Sequence, residues 1–148
     1  MSETILLGIT GGIAAYKMAG VASSLTKEGY EVEVVMTEAA AEFITPLTFR
    51  NLTGNRVETD LFSPPATYDV KHIGLAQKAD IILIAPATAD FIGKMAGGLA
   101  DDLLSTLVLA TPAPVLISPS MNVNMYNHPV VQDNIKYLRE KGIVIIEP

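Results

Sequence analysis

Short apolar runs constrain the fold of this chain more than any other feature. Each run stops at a glycine, a proline or a polar turn, and a stretch with helical spacing follows it. Ile5-Leu6-Leu7 runs into Gly8-Ile9-Thr10-Gly11-Gly12-Ile13, and Ile81-Ile82-Leu83-Ile84 runs into Ala85-Pro86-Ala87-Thr88-Ala89-Asp90. Val115-Leu116-Ile117 runs into Pro119-Ser120-Met121-Asn122, a polar opening expected of a site loop at a strand end. Strands are expected at Ile5–Ile9, Glu31–Met36, Ile81–Ala85, Val115–Ser118 and Ile143–Ile146. Helices are expected at Ile13–Glu28, stopped by Gly29, at Glu38–Phe43 behind Thr37, and at Pro46–Asn51. Others are expected at His72–Lys78, Phe91–Met95, Asp101–Ala110 and from Pro129 to Gly142. This alternation predicts an α/β fold, an open parallel sheet with helices on both faces, of Rossmann or flavodoxin type. Residues 53–70 have weak periodicity and read as a loop or edge strand that covers a site or meets a neighbouring subunit.

At 148 residues the chain has the size of one domain with a core of its own. With 49% apolar and 18% charged residues it reads as globular, not disordered. Ten basic against 16 acidic residues give a net charge of −6, with no basic stripe for nucleic acid. An anionic ligand must therefore be met by local backbone N–H groups. There is no cysteine, so the chain has no disulfide, no thiolate metal ligand and no cysteine nucleophile. No apolar run reaches the roughly 20 residues of a membrane span, and the N-terminus does not read as a signal peptide. The expectation is a cytoplasmic protein with no membrane, nucleic-acid or metal partner.

The loop Gly8–Ile13 lies between strand and helix, where glycines let backbone approach a phosphate and a helix start offers N–H groups. It does not match the dinucleotide G-x-G-x-x-G, and Lys17-Met18 breaks the P-loop pattern. The second strand ends in Met36-Thr37, with Glu38 next, where an NAD fold usually places its ribose-binding acid. A hydroxyl there favours a mononucleotide such as FMN. The glycines taken alone serve a tight turn equally well.

Several segments occur together in a specific order. They are Gly11-Gly12-Ile13-Ala14-Ala15-Tyr16-Lys17, His72-Ile73, Ala79-Asp80 to Ala85-Pro86-Ala87-Thr88-Ala89-Asp90, Gly93-Lys94-Met95-Ala96-Gly97-Gly98-Leu99-Ala100-Asp101-Asp102-Leu103-Leu104, and Pro119-Ser120-Met121-Asn122. In that order the chain resembles the flavin-dependent cysteine decarboxylases along essentially its whole length, as a single FMN-binding domain over residues 1–148. The resemblance implies that Gly11, Gly12 and Ile13 meet the FMN phosphate. Thr37, Glu38 and Ala39 help hold the same cofactor, and Thr88, Ala89, Asp90 and Phe91 occupy the family's flavin loop. Ser120 replaces a usual Ala. Met121 lies toward the flavin and substrate. His72 is the implied catalytic base or orienting group, and Asn122 the residue that grips the substrate carboxylate.

The chemistry implied by the resemblance is decarboxylation of phosphopantothenoylcysteine on the way to coenzyme A. The thiol-bearing carbon is first oxidised by the flavin, and CO2 then leaves to give an enethiol. Members of the family carry, beyond the position of Pro148, a flap with a cysteine that donates the final proton. The cysteine-free chain is therefore expected to stop at the enethiol. The resemblance also implies a homo-oligomer, a trimer or an assembly of trimers. Two other activities share the pattern: decarboxylation of peptides ending in cysteine, and flavin binding without turnover as a regulatory subunit. The related flavin prenyltransferases lack Pro119-Ser120-Met121-Asn122. Blander roles are expected for His128 as a helix-start residue, Asn124 in a turn, and Asp101 and Asp102 as helix caps.

Overall fold

The computed structural model describes residues 2–61 and 71–148, the side chains of residues 71–73 excepted. Its sheet has five parallel strands in the order β2-β1-β3-β4-β5. These are β1 (Thr4–Ile9), β2 (Glu31–Met36), β3 (Ile81–Ala87), β4 (Val115–Pro119) and β5 (Val144–Ile145). The helices are α1 (Met18–Lys27), α2 (Glu38–Ala41), α3 (Pro46–Thr53), α4 (Lys71–Lys78), α5 (Ala89–Gly97), α6 (Leu103–Ala110), α7 (Val123–Tyr126) and α8 (Pro129–Glu140). The expected class, a parallel sheet layered by helices on both faces, is what the chain adopts.

The strands carry apolar residues on both faces because both faces are covered. Leu6, Val35, Ile82, Ile84 and Ile117 pack on one face with Phe91, Leu104, Leu107, Ile135 and Leu138 of α5, α6 and α8. Leu7, Ile9, Val32, Val34 and Met36 pack on the other with Ala22 and Phe49 of α1 and α3. Phe49 and Phe91 are the largest fully buried side chains, and truncating either to Ala costs about 3–5 kcal/mol.

Four local features differ from the sequence expectation. The segment 13–28 is two pieces, a 3-10 turn over Ile13–Lys17 and then α1. Gly12 supplies no side-chain cap, and its carbonyl accepts the Ala15 N–H at 2.9 Å, which tightens the turn and draws Ala15 into the core. β3 runs on to Ala87, whose carbonyl accepts the Ser120 N–H at 3.1 Å. β5 is shorter, because the Ile143 N–H closes the end of α8 on Leu138 O at 3.0 Å. α7 was not expected at all; it is one turn set up by the Asn122 side chain. Within 53–70, Glu58 bridges Val35 beside β2, as an edge segment does, and residues 62–70 lie outside the described residues.

Candidate functional site

In a sheet ordered 2-1-3-4-5 the crevice opens where the chain reverses direction, between β1 and β3, outside the carboxyl ends of the strands. A cleft of about 1020 Å³ lies there. Gly11, Gly12 and Ile13 line it from the β1 loop, and Thr37, Glu38 and Ala39 from the β2 loop. Thr88, Ala89, Asp90 and Phe91 line it after β3, and Ser120, Met121 and Asn122 after β4. Four loops, spread over more than a hundred residues of sequence, therefore bring together every expected site residue except His72. His72 is the second residue of α4, and its side chain lies outside the described residues.

The glycine loop is shaped by close approach, not by left-handed backbone. A Cβ on Gly11 would lie 2.4 Å from Ala39 Cβ and 3.0 Å from the Ala39 carbonyl carbon, so only glycine fits against α2. A Cβ on Gly12 would make ordinary contacts, 3.5 Å from Thr88 Cγ2 and 3.6 Å from Pro86 Cγ. The Gly12 N–H is spent on Thr10 O at 3.0 Å, whereas those of Gly11 and Ile13 have no acceptor among the described residues. The donors this loop offers a ligand are thus Gly11 and Ile13.

The other three loops each place a helix start at the cleft. Thr37 Oγ1 accepts the Ala40 N–H at 3.1 Å and caps α2. Thr88 Oγ1 accepts the Phe91 N–H at 3.2 Å and caps α5. Asn122 Oδ1 accepts the N–H groups of Asn124 at 2.8 Å and Met125 at 3.3 Å and caps α7. These two bonds fix which end of the amide is oxygen, so Nδ2 is the donor left for a ligand. Helix starts favour anions, and several of them offset the chain's negative charge at this edge.

Residues that the sequence reading passed over also line the cleft: Thr10, Met36, Lys94, Leu104 and Met125, with Thr59, Asp60 and Leu61 from the edge segment beside β2. Among the described residues of the lining, Lys94 is the one lysine or arginine. Its ammonium is 3.2 Å from both Asp101 Oδ1 and Asp102 Oδ2 and 3.8 Å from Asp90 Oδ2. Burial works against its charge, but the hydrogen bonds to Asp101 and Asp102 outweigh that and raise its pKa. Burial likewise opposes the Asp102 carboxylate, and bonds from Ser105 and Lys94 more than offset it, lowering its pKa. Asp102 caps α6 in a capping box with Ser105, while Asp101 pairs with Lys94 instead of capping. Phe91 lines the cleft from a ring sunk in the core, and His128 Nδ1 caps α8 by accepting the Val130 N–H at 3.1 Å.

A family model described as Flavoprotein matches residues 1–148. The chain belongs to the Flavoprotein family. Among curated relatives, the coenzyme A biosynthesis bifunctional protein CoaBC of Vibrio vulnificus (strain YJ016) is 54% identical over 146 residues, 99% of this chain and 36% of that protein. The chain thus spans about a third of the length of the curated relatives it matches. Among solved structures, the FMN-dependent cysteine decarboxylase SpaF superposes with a TM-score of 0.92 at 36% identity, over 99% of this chain and 84% of that one. A PPC decarboxylase variant complexed with pantothenoylaminoethenethiol gives 0.86 at 32% identity, over 99% and 82%. The cleft suits what a Flavoprotein must hold. It has the volume of a cofactor site, it is walled by Met36, Leu104, Met121 and Met125, and it has unpartnered N–H groups beside Gly12.

Proposed function

We infer that this chain binds FMN in the cleft and decarboxylates 4'-phosphopantothenoylcysteine toward 4'-phosphopantetheine in coenzyme A biosynthesis. The observation that carries the reading is the convergence of the four loops, with the Asn122 amide donor, on one cleft at the β1–β3 switch point. The relatives that match end to end with the chain are coenzyme A biosynthesis proteins, and solved neighbours include a PPC decarboxylase.

Gly11, Ile13 and the capped starts of α2 and α5 receive the phosphate end of FMN, and Met121 flanks its ring. When bound, FMN supplies the two-electron oxidation of the thiol-bearing carbon that makes loss of CO2 accessible. Asn122 Nδ2 donates to the substrate carboxylate and holds it without a formal charge. That matters because the carboxylate becomes neutral CO2, and an ion pair would stabilise the starting state more than the transition state. Lys94, the cation nearest at hand, is already bound to Asp101 and Asp102 and so does not compete for that carboxylate. His72 acts as the base or orienting group for the thiol or carboxylate. The chain has no thiol to return the last proton, so on this reading it releases the enethiol.

The proposal includes a cytoplasmic homo-oligomer, a trimer or an assembly of trimers. Ile13 and Met125 support it, since both line the cleft yet are 78% and 48% exposed, a surface suited to cover by a second copy. Among the described residues no helix is long and apolar enough to cross a membrane. The TM-score of 0.92 to SpaF favours a second reading, decarboxylation of a C-terminal peptidyl cysteine.

The test is anaerobic addition of phosphopantothenoylcysteine to FMN-loaded protein. Bleaching of the flavin with release of CO2 is the expected result. An oxidised flavin that bleaches only with a cysteine-terminated peptide would favour the second reading, and failure to bind FMN would overturn both.

A further inference from the structure

Thr10 is 2% exposed, yet it carries a hydroxyl and lines the cleft. It follows β1 directly and opens the glycine loop. The ladder between β1 and β3 has its last pair at Gly8 and Ile84. Beyond that pair the backbones of the two strands part, β3 continuing beside β4 to the Ala87–Pro119 pair. The glycine loop and the Thr88–Phe91 loop therefore leave the sheet side by side with no shared ladder.

The Thr10 side chain spans that gap. Its Oγ1 donates to Pro86 O and accepts the Thr88 N–H at 3.1 Å. It also lies 3.5 Å from Thr88 Oγ1, the oxygen that caps α5. Among the described residues, these are the hydrogen bonds that join the two loops. One hydroxyl thus uses its proton on one backbone group and a lone pair on another, which fixes its rotamer as well as the distance between the loops. No buried side-chain nitrogen or oxygen among the described residues lacks a partner, so the strap is complete without a ligand.

We propose that Thr10 is a positioning residue of the flavin site, holding the glycine loop and the Thr88–Phe91 loop at the separation that both need to grip one FMN. The proposal rests on the FMN reading above. It assigns Thr10 no contact with the reacting atoms. The strap acts before the cofactor arrives: with the loops fixed, FMN does not spend affinity on ordering them.

Thr10→Val tests it, since valine has nearly the same shape and leaves Pro86 O and the Thr88 N–H unpaired. Thr10→Ser keeps the hydroxyl and loses only the methyl. FMN affinity is read by flavin fluorescence, the environment of bound flavin by visible circular dichroism, and folding by the melting of the cofactor-free protein. The expected result is that Thr10→Val weakens FMN binding by about tenfold or more and changes the flavin band. Thr10→Ser stays within about threefold of the parent protein. A purely structural role would lower the melting temperature of the valine variant while its folded fraction bound FMN normally, and that result overturns the proposal. So does an equal loss in Thr10→Ser, which would assign the effect to the methyl. Should Thr10→Val not fold, Thr10→Ala, which vacates space instead of filling it, carries the same comparison with Thr10→Ser. A parent protein that does not take up FMN overturns the underlying reading; a parent that binds it while the valine variant binds equally well overturns the strap alone.

Discussion

Asn122 Oδ1 accepts two backbone N–H groups and so starts α7, which leaves Nδ2 as the end able to donate to a substrate. Asn122→Asp separates the two tasks. The aspartate keeps an acceptor for the cap and suits the helix start, but it replaces the donor with a negative oxygen facing a carboxylate. The melting temperature should change little, while turnover should fall tenfold or more, as expected for losing a charge-assisted bond of about 1.5–3 kcal/mol. Steady-state kinetics beside thermal melting checks this, and a variant with normal turnover would remove Asn122 from the carboxylate. Gly11 and Gly12 make a second contrast, because they look equivalent in sequence and are not. Alanine at 11 places its Cβ 2.4 Å from Ala39, against backbone as well as side chain, whereas alanine at 12 meets side-chain carbons no nearer than 3.5 Å. Gly11→Ala should cost about 1–3 kcal/mol by overpacking. Gly12→Ala should leave the melting of the cofactor-free protein nearly unchanged, and calorimetry of the two variants measures the difference.

The starts of helices are where this sequence was easiest and hardest to read. Thr88 and Asp102 were visible as cap residue types, and the Ala-rich stretch behind Thr37 announced α2. The 3-10 turn at Ile13–Lys17 was not legible, since its cause is the burial of Ala15 under the sheet, a tertiary effect that leaves no mark on local periodicity. α7 was missed because a single turn of four residues is too short to show a period. The Lys94 cluster was missed for another reason: its partners come from the α5 helix and from the turn before α6, and only the fold sets them around one ammonium. That cluster has a pH signature. Asp102 has a lowered pKa in the folded protein, so its contribution is complete above the unfolded value, about 3.9, and is lost as pH falls through the folded value. Lys94 has a raised pKa, so its contribution is complete below about 10.4 and is lost only as pH rises through the folded value above that. Asp102→Asn keeps an acceptor for Ser105 and removes the charge. Its melting temperature should lie below that of the parent by a constant amount between about pH 5 and 9, and the gap should close below about pH 4. A gap that persists in acid would show that the charge of Asp102 contributes nothing.

Across the whole molecule the alternation of runs was enough for a parallel α/β sheet, because strands covered on both faces must be apolar throughout. The order of the strands was not legible, since no local residue pattern states which strand pairs with which, and it is the order that places the cleft between β1 and β3. The cleft in turn decides a property of the entire protein. A ligand held by loops from four strands binds the folded state alone, so FMN at a hundred times its dissociation constant should add about 2.7 kcal/mol of stability. In a domain of this size that is a rise in melting temperature of roughly 5–10 °C. Ile13 and Met125 make the size of this rise informative about assembly. Both line the cleft and remain largely exposed in the single chain, so a second copy that covers them would complete the wall of the site. Association and FMN binding would then favour each other by the same free energy, whichever comes first. The measurement is the melting temperature at saturating FMN over a hundredfold range of protein concentration. A midpoint that climbs with concentration, and climbs less in Ile13→Ser, is the expected result. A midpoint independent of concentration would mean that one chain builds the whole FMN site and that the exposed apolar rim serves something other than self-association.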